Sequence, residues 1–234
     1  MQKITGALAV ALCGAVFSAR PALAQNPAMQ QKLADIKAAM AANKQKLAQY
    51  TWTEVETISV KGSVKDTKTY QVRLGPDGKA QKTLVDDQKA QSGGGGREGR
   101  LKKRAIEHVK DEYTEYGQAI GALAKQYTTP NPDAIEQAKA QGNISLQPGA
   151  GTISLVIKSY VKPNDQVTFT LDEATKSPVS VTISSYLNDP GDAVNITAQY
   201  AKLPDGTNHV ANTTINGVKK ELVVNDQNQN YQHM

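Results

Sequence analysis

The chain has 234 residues, 39% of them hydrophobic and 21% charged, with a formal net charge of +5 and three histidines. That balance excludes a disordered polyampholyte and a multispanning membrane protein. The one cysteine, Cys13, lies in an N-terminal apolar stretch, so a chain cleaved beyond it has no thiol for disulfides, thiolate catalysis, zinc–cysteine clusters or iron–sulfur ligation.

Residues 1–24 read as an export leader. Lys3 supplies the positive start, Ile4 to Ala19 the apolar run, and Ala22-Leu23-Ala24 the small-residue cleavage site. Cleavage after Ala24 predicts a periplasmic protein beginning at Gln25. The apolar run is shorter than the roughly 20 residues that span a bilayer. Leu12 is too bulky for the position before an acylated cysteine. Loss of Lys3 and Arg20 lowers Lys+Arg from 27 to 25 against 22 Asp+Glu, and a net charge of +3 is too mild to argue for nucleic acid.

Over residues 27–49, Met29, Leu33, Ile36, Met40 and Leu47 fall on one helical stripe. Next come three strands. Val64, Tyr70, Val72 and Leu74 share a face, Gly75-Pro76-Asp77-Gly78 turns the chain, and Ala80 and Leu84 begin the return. From Asp86 to Arg104 the chain carries Gly93 to Gly96, Gly99 and a basic run, which predicts a mobile loop. A second helical stripe follows at Ile106, Val109, Tyr113, Tyr116, Ile120, Leu123 and Tyr127, with Gly117 and Gly121 permitting close backbone approach. Pro132-Asp133 opens a third, short helix ended by Gly142.

The rest alternates with a period of two. Ile144 and Leu146 begin it; Ile153, Leu155 and Ile157 form one face; Val167, Phe169 and Leu171 return after Pro163-Asn164. Val179, Val181, Ile183 and Leu187 follow, then Val194, Ile196, Ala198 and Tyr200. A Pro204-Asp205-Gly206 turn, a polar strand to Ile215, an Asn216-Gly217 turn and Val218 to Val224 complete the series. The fold class is α+β: about ten antiparallel strands with one apolar face each, curling into a half-barrel capped by two or three helices in a single domain, 25–234.

Catalytic signatures are weak. Glu54 and Glu56 share strand parity with Trp52 and Ile58, so two carboxylates point wherever Trp52 points. Carboxylate pairs about 5–9 Å apart serve as acid and base in glycoside hydrolysis, but such pairs are common on exposed sheet faces. No Gly-x-Ser-x-Gly elbow or phosphate loop occurs. His108, His209 and His233 are not spaced as ligands on one element, so neither metal nor cofactor is expected. The Asn143, Asn195 and Asn212 sequons read as chance matches in a bacterial exported chain.

Two surfaces remain. The first is the apolar sheet face with its helical lid: Trp52, Tyr70, Val72, Leu74, Leu155, Ile157, Phe169, Val181 and Ile183, with Tyr113 and Tyr116 from the long helix. It is either plain core or a binding trough. The second is the basic run Arg97, Arg100, Lys102, Lys103 and Arg104, which precedes a helix whose dipole it opposes. It is either a solvated loop or a contact for anionic lipid or an acidic partner.

The order of elements, an exported chain with one helix, three strands, a glycine-rich loop, two helices and a long meander, resembles the periplasmic lipoprotein carriers of the LolA-like fold. Tyr160-Val161-Lys162-Pro163, Tyr186-Leu187-Asn188-Asp189-Pro190 and Leu203-Pro204-Asp205-Gly206-Thr207 also look like segments of uncharacterised exported bacterial proteins. The resemblance implies an unclosed barrel that shields acyl chains in transit between membranes without a cofactor. A carrier of this kind implies membrane partners for release and acceptance. The function expected is therefore a non-enzymatic periplasmic binding or carrier protein for a lipid, an acylated protein or another apolar ligand. An envelope scaffold or regulatory protein-interaction module without a small ligand is the alternative.

Overall fold

The computed structural model describes residues 38–89, 100–128 and 132–234. The export leader, residues 27–37 of the predicted N-terminal stripe, Gly93 to Gly96, Arg97 and Gly99 lie outside the described residues. Helix α1 spans 38–47. It is followed by β1 (Tyr50–Val60), β2 (Ser63–Leu74), β3 (Ala80–Lys89), α2 (Arg100–Thr128) and α3 (Pro132–Ala140). Then come β4 (Ile144–Pro148), β5 (Thr152–Lys158), β6 (Gln166–Asp172), β7 (Pro178–Tyr186), β8 (Ala193–Lys202), β9 (Asn208–Gly217) and β10 (Leu222–His233). Both ends of the predicted 86–104 loop are thus regular: β3 runs on through Lys89, and α2 already begins at Arg100.

All ten strands form one open antiparallel sheet in the order β3-β2-β1-β10-β9-β8-β7-β6-β5-β4. The N-terminal three-strand unit docks on the last strand of the chain through the β1–β10 ladder. Consequently β3 and β4 are sequence neighbours that lie on opposite edges, and the chain between them must cross the whole sheet. Ten strands about 4.8 Å apart span about 43 Å measured along the sheet, and the 29 residues of α2 rise about 43 Å at 1.5 Å each. The long helix is as long as its crossing requires.

Curvature comes from five irregularities, one in each of the β1–β10, β1–β2, β2–β3, β6–β7 and β8–β9 ladders. Extra residues in one strand bend it and strengthen its twist. Two of these shifts correct the faces read from alternation alone. Val64 pairs with Ser59 beyond the β1–β2 shift and is 51% exposed. Val179 is the extra residue between Pro178 and Ser180 and is exposed.

Helix α2 lies across the sheet end formed by the β5–β6, β7–β8 and β9–β10 connections. Tyr127 Oη donates to Asp165 Oδ2 at 2.6 Å, Tyr116 Oη to Asp192 Oδ1 at 2.8 Å, and Lys220 Nζ to Glu112 Oε1 at 2.7 Å. Tyr116 and Tyr127 are about three turns apart and so share the buried stripe with Ile120, Leu123 and Ala124. Val109, expected on that stripe, is half exposed; the side chain of Ile106 lies outside the described residues. At the other side of the molecule Asn43 of α1 mimics a strand, its amide donating to the Asn208 carbonyl at 2.7 Å and accepting from the Asn208 N–H at 2.6 Å.

The turn expected at Asn216-Gly217 falls later. Both residues belong to β9; a 3-10 turn covers Val218–Lys220, and Glu221 takes the left-handed conformation at φ 50°. Gly217 sits at an ordinary φ of −88°, so its small size has another cause. A Cβ there would lie 2.4 Å from Ile120 Cδ1 and 2.7 Å from Tyr116 Cε1. Gly217→Ala is expected to push α2 off the sheet at a cost of about 1–3 kcal/mol, the usual penalty of overpacking. Urea unfolding followed by circular dichroism checks this, and a stability equal to that of the parent protein would refute the close-approach argument.

Candidate functional site

The registers of the nine ladders place inner-face residues in rows that run across the strands. One row reads Ile144, Ile157, Val167, Ile183, Ile196, Ile215, Val224 and Ile58, apolar for eight strands before it meets Asp66 of β2. The next row begins as apolar but changes character: Leu146, Leu155, Phe169, Val181 and Ala198 lead through Thr213 to Asp226, Glu56 and Lys68. Beyond it, Glu54 pairs with Tyr70 and Trp52 with Val72, which in turn faces Lys82. The inner face is therefore greasy from β4 to β9 and ionisable on β10, β1, β2 and β3.

At the ionisable end every group is held by strand backbone. Lys82 Nζ bonds Glu54 Oε1, with both side chains under a tenth exposed, and lies 5.4 Å over the Tyr70 ring. Lys68 Nζ is 2.9 Å from Asp66 Oδ2 and 3.7 Å from Glu56 Oε1, the latter too long for a hydrogen bond. Glu56 and Asp226 are direct partners across the β1–β10 ladder, each only 3% exposed. Three acceptor oxygens, Glu56 Oε1, Asp66 Oδ1 and Asp226 Oδ1, have no hydrogen-bond donor.

Burial dominates the protonation of this cluster. It raises Glu56 above the ordinary carboxylate range, with the Lys68 and Lys82 cations opposing. It raises Asp226 well above that range, with the Glu54 charge adding and Lys82 opposing. The Tyr70 hydroxyl is raised by burial, and next by the charge of Glu56. Among the described residues no group of three histidine, cysteine, aspartate or glutamate side chains is arranged to hold a metal ion.

An aromatic group closes the far side. Trp52 stacks on Tyr231 with ring centres 5.4 Å apart, and its indole N–H donates to Asn228 Oδ1 at 2.9 Å. The His209 ring lies 4.2 Å from Tyr231, and burial lowers its pKa, so it is a neutral wall of this group at pH 7. On the opposite, outer face a recess of about 240 Å³ is lined by Thr197, Gln199, Asn212 and Thr214, hydroxyls and amides with no apolar floor.

No protein-family model matches the chain, and no curated protein does. Two solved structures are similar to it. One is a DUF1329 family protein from Desulfovibrio piger, 10% identical, with a TM-score of 0.39 over 86% of this chain and 92% of that one. The other is a LolA superfamily protein from Nitrosomonas europaea, 9% identical, with a TM-score of 0.36 over 83% of this chain and 93% of that one. The second bears the fold name that the order of elements suggested. Both likenesses concern the fold alone.

The structure divides the apolar residues picked from the sequence. Ile157, Val181, Ile183 and Tyr116 belong to the main core beneath α2, with Tyr113, Leu155 and Phe169 partly buried against it. Trp52, Tyr70 and Val72 form a separate cluster with Leu74. Glu54 and Glu56 do face inward with Trp52. Of the basic run, Arg100, Lys102, Lys103 and Arg104 sit in the first turns of α2, and Arg97 lies outside the described residues. Lys82, Lys68 and Asp226 were missed. Lys82 and Lys68 carry a signal, since they share parity with Ala80 and Tyr70; Asp226 carries none until β10 is known to lie beside β1.

Proposed function

We propose that the protein binds a long apolar chain, a lipid or the acyl group of an acylated protein, on the inner face of the half-barrel. The Ala22-Leu23-Ala24 leader supports a periplasmic setting. One observation carries the reading. Ile157, Val167, Ile183 and Ile196 are 1–2% exposed, while Ile153, Leu155, Phe169 and Leu171 on the same inner face keep part of their surface in water. The apolar band is wider than the helices cover. A 16-carbon chain laid fully on such a surface gains about 12 kcal/mol gross at about 0.8 per methylene, above the lower range of association costs. Among the described residues no helix is long and apolar enough to cross a membrane, which agrees with a guest that comes to the protein.

The test is native mass spectrometry of gently purified protein together with displacement of a fluorescent fatty acid. A co-purified adduct and saturable displacement are expected, with Leu155→Glu weakening binding at least tenfold. Leu155 is preferable to Val72, which is 1% exposed, because it is already partly in water; circular dichroism checks that the variant folds. Protein that carries no adduct and ignores every long-chain probe overturns the reading.

A further inference from the structure

The ionisable end of the trough has more acid than base. Among the described residues Glu54, Glu56, Asp66 and Asp226 face two cations: Lys82 bonds Glu54, and Lys68 lies 2.9 Å from Asp66 and 3.7 Å from Glu56, so Asp226 has neither. Surplus carboxylates held out of water weaken a fold unless something partners them. Here two of them are 3% exposed and set opposite one another across a ladder, a separation of about 5 Å between Cβ atoms. Their orphaned oxygens are a second observation independent of the charge count: Glu56 Oε1 and Asp226 Oδ1, with Asp66 Oδ1 beside them, lack any donor.

We propose that the guest carries a primary ammonium head, which Glu56 and Asp226 receive while its tail lies along the apolar part of the same row. This inference rests on the apolar-chain reading and names the polar end of that ligand. A primary ammonium brings three N–H donors, the complement of acceptors that have none. A quaternary ammonium brings no donor and is bound by aromatic faces, and the Tyr70 face is already under Lys82. A divalent cation of the calcium or magnesium kind asks for six or more oxygens, and three in this cluster lack a hydrogen-bond partner. From Phe169 on β6 to Asp226 on β10 is four strand spacings, about 19 Å; Val181, Ala198 and Thr213 between them are 1–3% exposed, so the tail must displace what covers them. The side of the cluster nearest water is the β2–β3 edge, where Lys68 and Asp66 are about a fifth exposed and Leu84 is 47% exposed.

The experiment compares dodecylamine, dodecanoate and dodecyltrimethylammonium at pH 7, each below its micelle concentration, by calorimetric titration of the full mature chain. Dodecylamine is expected to bind at least tenfold tighter than the other two. Asp226→Asn and, separately, Glu56→Gln are expected to abolish that preference while leaving dodecanoate binding within about threefold, with circular dichroism confirming that both variants fold. Equal affinity for the three probes, or a preference that survives both substitutions, overturns the ammonium site and leaves the apolar-chain reading standing. Failure of all three probes to bind overturns both.

Discussion

Asp165→Ala is expected to destabilise the protein by about 3–5 kcal/mol, the range for stripping a buried charge from its donors. Asp165 is 1% exposed and closes the β5–β6 connection from within. Its Oδ1 accepts the Tyr160 N–H at 2.5 Å, and its Oδ2 accepts those of Val161 and Lys162 at 2.9 and 2.8 Å. The same Oδ2 takes the Tyr127 hydroxyl at 2.6 Å, which itself lies 2.7 Å from Ser185 Oγ. One carboxylate thus sets a loop containing two left-handed residues, Ser159 and Asn164, and anchors the C-terminal part of α2 to it. Of the four donors alanine leaves the three backbone N–H groups unmatched, the Tyr127 hydroxyl keeping Ser185 Oγ, and each orphan costs about 1–3 kcal/mol before relaxation. For a chain of this size the melting temperature should fall by roughly 6–20 °C. Tyr127→Phe, which removes one of the four, should cost about 1 kcal/mol. Thermal unfolding and amide exchange along α2 measure both effects; an Asp165→Ala midpoint within 2 °C of the parent would show that the loop is held by something else.

Local structure was legible in the sequence wherever one pattern governed it. The period of two in Ile153-Leu155-Ile157 and Val194-Ile196-Ala198 reports strands covered on one face, and the stripe from Tyr116 to Tyr127 reports a helix lying on them. Alternation fails at bulges, because one inserted residue moves everything beyond it to the other face, as at Val64 and Val179. Asn216-Gly217 misleads for a different reason. The pair is a strong hairpin signal, yet Gly217 is small because α2 presses on it, a tertiary contact with no local trace. The same holds for the site. Glu54 and Glu56 could be placed by parity with Trp52, but the pairing of β1 with β10 joins residues some 170 positions apart, and only that pairing brings Asp226 to Glu56.

Lys82→Met and Asp226→Asn should move stability in opposite directions, and the contrast tests whether the cluster is strained by surplus acid. Lys82 bonds Glu54 inside the fold, each side chain less than a tenth exposed. Methionine preserves the packing over Tyr70 and removes the charge, leaving Glu54 unpartnered beside two other buried acids. That situation costs about 3–5 kcal/mol. Asparagine at 226 removes a charge that burial already opposes, and its amide supplies a donor to a neighbourhood in which Glu56 Oε1 has none. A gain of about 1–2 kcal/mol at pH 7 is expected, within the range seen when uncompensated buried charge is removed. The sign with pH follows from the raised Asp226 pKa. Between about pH 4, where an unfolded aspartate titrates, and the higher folded value, the native state holds the extra proton, so the parent loses stability as pH rises through that window. Below the window the carboxyl is neutral in both states and the asparagine has nothing to relieve. Urea midpoints at pH 7 and pH 4 should therefore show the Asp226→Asn advantage at the first and little of it at the second. An advantage of equal size at both pH values would mean that packing, and not charge, distinguishes the variant. Destabilisation at pH 7 would mean that Asp226 is partnered in the folded protein and that the ionisable end of the trough has no vacancy for a cation.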